Sequence, residues 1–244
     1  MGETIAVLSG KGGTGKTSVC AGVATALARD GKRVLCIDCD LGLQNLDISL
    51  GMSDSGALSF LDVCQGGYDL TQAAQHPQFD KLSFLTAPVY QRAANVDHAA
   101  FRAMLRRARE LFDFVLLDAP AGIDSGFELA AKYADRILLV TQSDPAAVRD
   151  AARAGSHLEA MGKKDVRLVV NRVNVRLYAS MDVTIDDVMD TAGLPLVGVV
   201  PEDRNVTLAA AFGKPLIQYT KRGAARACGA IAQRLQGASI PLTL

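Results

Sequence analysis

The sequence of 244 residues has no tryptophan, only three histidines and an aromatic fraction of 5%. With no Trp and no aromatics interleaved among its basic residues, it offers no stacking surface for unpaired bases. His76, His98 and His157 are scattered, in neither a metal-ligand spacing nor a nucleophilic triad, and are expected to be ordinary surface histidines. Net charge is missing as well: 26 Lys and Arg balance 26 Asp and Glu, which removes the overall electrostatic pull that a non-specific nucleic-acid coat protein relies on. Cysteine is sparse and odd in number. Cys20, Cys36, Cys39, Cys64 and Cys228 lie mostly among apolar neighbours, which argues against a secreted disulfide framework and predicts reduced thiols. No stretch approaches the roughly 18 uninterrupted apolar residues of a membrane-spanning helix. The start, from Met1 to Ala6, lacks a basic region, and the first apolar run is cut at Ser9-Gly10-Lys11, so it does not read as a signal peptide. The expected location is the cytoplasm, at most peripheral to the inner face of the cell membrane. Linkers rich in Ser and Gly, low-complexity tracts and internal repeats are absent, and one domain is the economical reading.

What is present is a large apolar complement, 49% of the residues. A chain of this length buries roughly 70–75% of the surface it exposes when unfolded, and needs neither metal nor disulfide to hold a core. Aliphatic and β-branched runs recur at Thr4–Leu8, Val34–Asp38, Leu82–Ala87, Phe114–Asp118, Ile137–Thr141, Val166–Asn171 and Leu196–Val200. Most are apolar on both faces, the pattern of strands in a covered parallel sheet. Helical stretches lie between them. Lys16–Asp30 ends at Gly31; His98–Leu111 sets Phe101, Leu105 and Ala108 apart from Arg102, Arg106, Arg107 and Arg109; Gly223–Leu235 is rich in Ala. The alternation predicts a doubly wound α/β fold: a mostly parallel sheet of about seven or eight strands with helices on both faces.

The first strand runs into Ser9-Gly10-Lys11-Gly12-Gly13-Thr14-Gly15-Lys16-Thr17-Ser18, and a helix follows at once. Gly10 to Thr17 matches the phosphate-loop pattern G-x-x-x-x-G-K-[ST] in its strand–loop–helix setting. Glycines let successive backbone N–H groups converge on one concavity, and the helix N-terminus adds partial positive charge, so the loop suits an anionic phosphate. Lys16 is expected to reach the β- and γ-phosphates and Thr17 to ligate Mg²⁺. A second lysine, Lys11, lies inside the loop and is not needed to hold one nucleotide; on its own it reads as a solvated charge.

Acids end two of the strands. Asp38 and Asp40, past the second strand, lie where a doubly wound sheet places its ligand; Asp40 is expected to orient an attacking water, with Asp38 supporting Mg²⁺ or the loop. Turn capping, the plainer role, suits Asp47 better than Asp40. Cys36 and Cys39 form a C-x-x-C without a second Cys or His pair, and strand geometry sends them to opposite faces, so both read as packing residues. Phe114–Asp118 ends in an acid at the ligand edge, a Walker B pattern in which Asp118 holds Mg²⁺ through its water shell. No N-K-x-D guanine motif appears, so ATP or ADP is preferred, with Asn171, Arg172, Pro201, Glu202 and Asp203 expected on the rim near the base.

In these segments the sequence resembles the MinD branch of the MinD/ParA deviant Walker A ATPases, a group of P-loop NTPases. The likeness runs through nearly the whole chain: Ser9–Thr17; Asp38–Asp47 with Gly42-Leu43-Gln44-Asn45-Leu46-Asp47; Asp118–Gly122 continuing to Gly126; Val148-Arg149-Asp150; and Val199-Val200-Pro201-Glu202-Asp203. The first is common to the superfamily, whereas Asn45-Leu46-Asp47 and Pro201-Glu202-Asp203 point to MinD over a chromosome-partitioning ParA. The resemblance implies a deviant Walker A ATPase domain over residues 1–237, an ATP-dependent homodimer, recruitment of a MinC-like division inhibitor, membrane association, and slow hydrolysis stimulated by a MinE-like partner. It implies that Lys11 is the signature lysine crossing to the second copy's phosphates, Lys16 the P-loop lysine, Thr17 and Asp118 the Mg²⁺ side, Asp40 the hydrolytic carboxylate, and Asn45 and Asp150 members of the partner surface.

MinD proteins usually finish with a basic amphipathic helix that lies on the bilayer. Here the tail, residues 238–244, is short, contains Pro241 and has no Lys or Arg, so this stretch is not expected to meet anionic lipid. Two other classes stay open on sequence alone. A ParA-like partitioning or positioning ATPase on DNA or another scaffold would use Lys221, Arg222 and Arg226, though nucleic acid is not the expected partner; a metabolic P-loop enzyme would modify a small molecule that nothing in the sequence names.

Overall fold

The computed structural model describes residues 1–88, 96–174 and 184–242. In strand β1 (Glu3–Leu8), Ile5 and Val7 face one apolar layer and Ala6 and Leu8 the other, all fully buried. The same two-sided burial runs through β2 (Val34–Asp38) and β5 (Phe114–Asp118) and marks strands covered on both faces. With β3 (Ala74–Gln75), β4 (Leu82–Leu85), β6 (Arg136–Thr141), β7 (Val166–Val173) and β8 (Leu196–Pro201), the described residues form one eight-stranded sheet in the order β3-β4-β2-β5-β1-β6-β7-β8. Every pairing is parallel except β3 with β4.

Helices cover both faces, as the sequence predicts. On one side, α1 (Lys16–Arg29), α2 (Leu46–Leu50), α8 (Asn205–Ala211), α9 (Leu216–Tyr219) and α10 (Ala224–Leu235) pack over Ile5 and Val7. On the other, α3 (Phe60–Cys64), α4 (His98–Leu111), α5 (Ser125–Tyr133), α6 (Pro145–Ala160) and α7 (Ile185–Ala192) pack over Ala6 and Leu8. Short acids set several helix starts: Asp97 accepts from the Ala99 and Ala100 N–H groups, Asp124 from Gly126 and Phe127, and Asp144 from Ala147 with Pro145 just inside the helix.

The chain builds β2 to β4 on one side of β1, inserts β5 beside β1, then lays β6 to β8 on the other side. The strand order reverses at β1, so the crevice beyond its carboxyl end is where such a sheet receives a ligand. Register brings the acids there together: Asp38 is paired with Asp118, and Val7 with Asp118.

Several details depart from the sequence reading. β4 stops at Leu85, Thr86 making only an isolated bridge to Ser59, and β7 continues past Asn171 to Val173. His76 is not a surface residue: it is 2% exposed, with Nε2 on the Leu50 carbonyl at 2.9 Å and Nδ1 accepting from the Gln78 and Phe79 N–H groups. Cys36 and Cys39 do fall in opposite apolar layers, and the five cysteines are free thiols. After α10 the chain folds back, and Arg234 donates to the carbonyls of Val197 on β8, Ile240 and Pro241. Thr243 and Leu244 of the predicted tail lie outside the described residues. Among the described residues no helix is long and apolar enough to cross a membrane.

Candidate nucleotide-binding site

β1 delivers the chain into the loop at Ser9, and α1 begins at Lys16. Gly13 (φ 79°) and Gly15 (φ 84°) take left-handed backbone, which glycine adopts without a Cβ penalty. Gly15 is the N-cap of α1 and carries no side-chain cap, so the first helical N–H groups are left for a ligand. One side chain just past β6 and two on β7 hold the loop. Gln142 Nε2 donates to the Gly13 carbonyl at 3.0 Å, Arg172 Nη1 to the same oxygen at 3.3 Å, and Asn171 Nδ2 to the Thr14 carbonyl at 2.7 Å. The Gly122 N–H donates to the Ser9 carbonyl, tying the turn after β5 to the loop.

Inside this frame Lys16, 6% exposed, pairs with the fully enclosed Asp118, Nζ to Oδ1 at 2.9 Å. Burial works against charge on both. For Lys16 the attraction and hydrogen bond of Asp118 outweigh it and hold the ammonium above its ordinary range; for Asp118 burial outweighs the pull of Lys16 and Thr17, and the carboxyl is raised. The short distance is that of a charge-assisted hydrogen bond, and we take the pair as ionic. Asp38 lies beside it, accepting from the Asp40 and Leu46 N–H groups at 2.8 and 3.2 Å. Burial, reinforced by the charge of Asp118, pushes Asp38 up to about 7 despite those donors.

Asp40 accepts from the Gly42 and Leu43 N–H groups at 3.1 and 3.2 Å, so it is Asp40 that shapes a turn, while Asp47 sits in the first turn of α2. Lys11 is at the exposed rim, 3.6 Å from Asp144, with both side chains 45% exposed. Gly10 packs so closely on the Asp150 carbonyl that an added Cβ would overlap it. Asn45 is exposed ahead of α2. Beyond α1 a cavity of about 280 Å³ is lined by Gly15 and Ser18 together with Asn171, Arg172, Pro201, Glu202 and Asp203, so the residues expected near the base do converge. Asp203 also fixes its rim by accepting from the Asn205 and Ala224 N–H groups. Sequence reading missed Gln142 and Asp144, although both follow the carboxyl end of β6, and nearness to a strand's carboxyl end is what singled out Asp118 and Asn171.

The arrangement fits a phosphate group: the Thr14 hydroxyl is buried without a protein partner, N–H groups are uncapped, and a buried lysine lies at the loop. Among the described residues no three His, Cys, Asp or Glu side chains are poised to bind a metal by themselves. Thr17 and Asp118 offer hard oxygens, a set suited to Mg²⁺ shared with phosphate and water.

The model of the CobQ/CobB/MinD/ParA nucleotide binding domain matches residues 5–216. The septum site-determining protein MinD of Bacillus subtilis is 37% identical over 247 residues, spanning 99% of this chain and 92% of that protein. The chain belongs to the MinD branch of the MinD/ParA ATPases. Solved structures agree with MinD membership. A chain of the MinC:MinD cell division protein complex of Aquifex aeolicus matches with a TM-score of 0.92 at 32% identity, covering 99% of each chain. MinD of Pyrococcus horikoshii, solved as a complex with Mg-ADP, matches with a TM-score of 0.83 at 28% identity over 96% of each chain.

Proposed function

We propose that residues 1–237 act as one ATP-driven switch for placing the division site: they bind ATP with Mg²⁺, pair with a second copy through it, recruit a MinC-like inhibitor and are reset by slow, partner-stimulated hydrolysis. The observation that carries the reading is the contrast between the two loop lysines. Lys16 is locked in the floor on Asp118, whereas Lys11 stands at the rim in a half-exposed pair of the kind worth about 0–1 kcal/mol. A charge held that weakly is free to leave Asp144 for another molecule's phosphates.

The uncapped N–H groups of the loop and α1, with Lys16, bind the phosphates; Gly15, Asn171 and Glu202 border the base. Thr17 and Asp118, with Asp38 beside Asp118, would hold Mg²⁺, which would lend positive charge to the phosphate oxygens. Asp40, two residues past Asp38, orients the attacking water. Asn45 and Asp150 flank the loop end of the sheet and suit a surface read only in the paired state. The solved MinC:MinD cell division protein complex of Aquifex aeolicus supports a MinC-like protein as the partner. The chain acts in the cytoplasm, and contact with the membrane's inner face would depend on a lipid-binding element.

Light scattering tests the reading. With a non-hydrolysable ATP analogue and Mg²⁺, or with ATP in an Asp40→Ala variant, the mass should double, and Lys11→Ala should abolish doubling while retaining nucleotide binding. A chain that stays monomeric under both conditions would remove the switch.

A further inference from the structure

The carboxyl end of β7 breaks the rules of a regular strand. Its pairing with β8 shifts register between Val170 and Val173, and Arg172 takes left-handed backbone (φ 56°) without being a glycine. Consecutive side chains of a strand point to opposite faces, yet Asn171 and Arg172 both donate to the phosphate loop, on adjacent carbonyls. A bulge is the device that re-aims a side chain in this way, and the strained residue persists because its surroundings over-determine it.

The target of these donors gives their use. In a planar trans peptide the carbonyl of one residue and the N–H of the next point in opposite directions. Gln142 and Arg172, pulling on the Gly13 oxygen, turn the Thr14 N–H away from themselves; Asn171, pulling on the Thr14 oxygen, does the same to the Gly15 N–H. Left-handed glycines on either side leave the loop many other ways to sit.

Resting on the nucleotide-binding reading above, we propose that Gln142, Asn171 and Arg172 are positioning residues of the phosphate loop, clamping its carbonyls outward so that its N–H groups are fixed toward phosphate before the ligand arrives. Preorganised donors of this kind lose no reorganisation energy on binding. The clamp also makes Asn171 a link between the base cavity, which it lines, and the phosphate loop, which it holds.

The test titrates the full chain and its Gln142→Ala, Asn171→Ala and Arg172→Ala variants, with Mg²⁺, against a non-hydrolysable ATP analogue and, by competition, against inorganic tripolyphosphate, which has no base. Positioning predicts that each variant weakens tripolyphosphate by about threefold to tenfold, the size of one hydrogen bond, and the ATP analogue by at least as much. A loss confined to the ATP analogue would make these side chains base contacts and overturn the proposal, as would unchanged affinity for both. If the unmodified chain binds neither ligand, the nucleotide reading itself fails. Arg172→Gly separates positioning from folding: glycine relieves the left-handed backbone while deleting the donor, so Tm should hold or rise as tripolyphosphate affinity falls. A fall in Tm with unchanged affinity would reduce Arg172 to a structural residue.

Discussion

Burying Asp38 beside Asp118 ties its protonation to folding. Its folded value of about 7 lies above the ordinary 3.8, so the folded protein holds that proton more tightly than the unfolded chain. The stability this lends is fully present below about pH 4 and is lost as pH rises through 7. His76 works in the opposite sense. Burial lowers it, with the Leu50 carbonyl pulling back, and the Nδ1 acceptor role for two N–H groups requires the neutral ring. Its contribution is present above the ordinary 6.5 and is lost as pH falls below that. Urea midpoints of the nucleotide-free chain between pH 5 and 8 should show both: Asp38→Asn flattens the decline from pH 5 to 7 by up to about 1.4 kcal/mol per unit, and His76→Gln flattens the loss on the acid side. Slopes identical to the unmodified chain would contradict these assignments. Asp38 and Asp118 were legible because an acid closing an apolar strand has few structural uses. His76 was not: its partner Leu50 is 26 residues away, on a helix of five residues with no sequence signal of its own.

At the scale of elements, the phosphate loop and the start of α1 form one unit with the β7 bulge. An added Cβ at Gly15 would overlap the Asn171 amide and carry a left-handed backbone besides. Gly15→Ala should therefore cost about 1–2 kcal/mol from the backbone alone, lower Tm, and weaken nucleotide binding as Asn171 is driven off the Thr14 carbonyl. A Tm and affinity equal to the parent's would show that the contact is dispensable. Strands β2 and β5 and helix α4 end where the sequence reading put them, because an apolar run or an amphipathic stripe stops at a charged or capping residue. The bulge was hidden for the same reason: Asn171 and Arg172 read as the polar end of a strand, and nothing local shows that β8 continues beside them to Pro201. β3, two residues long, has no periodicity to read.

For the whole molecule, two-sided apolar strands announced a covered parallel sheet, but strand order was not legible, since any of several sequences of crossovers would bury the same residues. The order matters because it sets Asp38 and Asp118 in register beside β1. Membrane behaviour is a property at this scale. Residues 237–244 carry no Lys or Arg for lipid phosphates, so replacing Ile240 and Leu242 with Ser should leave co-sedimentation with anionic liposomes unchanged. A drop in sedimentation of that variant would show that these side chains meet the bilayer.

The ends of the sheet have a last consequence. One border is a two-residue strand running against its neighbour, and at the other the Arg234 guanidinium occupies a β8 carbonyl while pinning the chain that follows α10. Blunted borders offer little template for a foreign strand, which protects a sheet this apolar from growing sideways into fibres. That leaves the loop-bearing end free for the pairing proposed above.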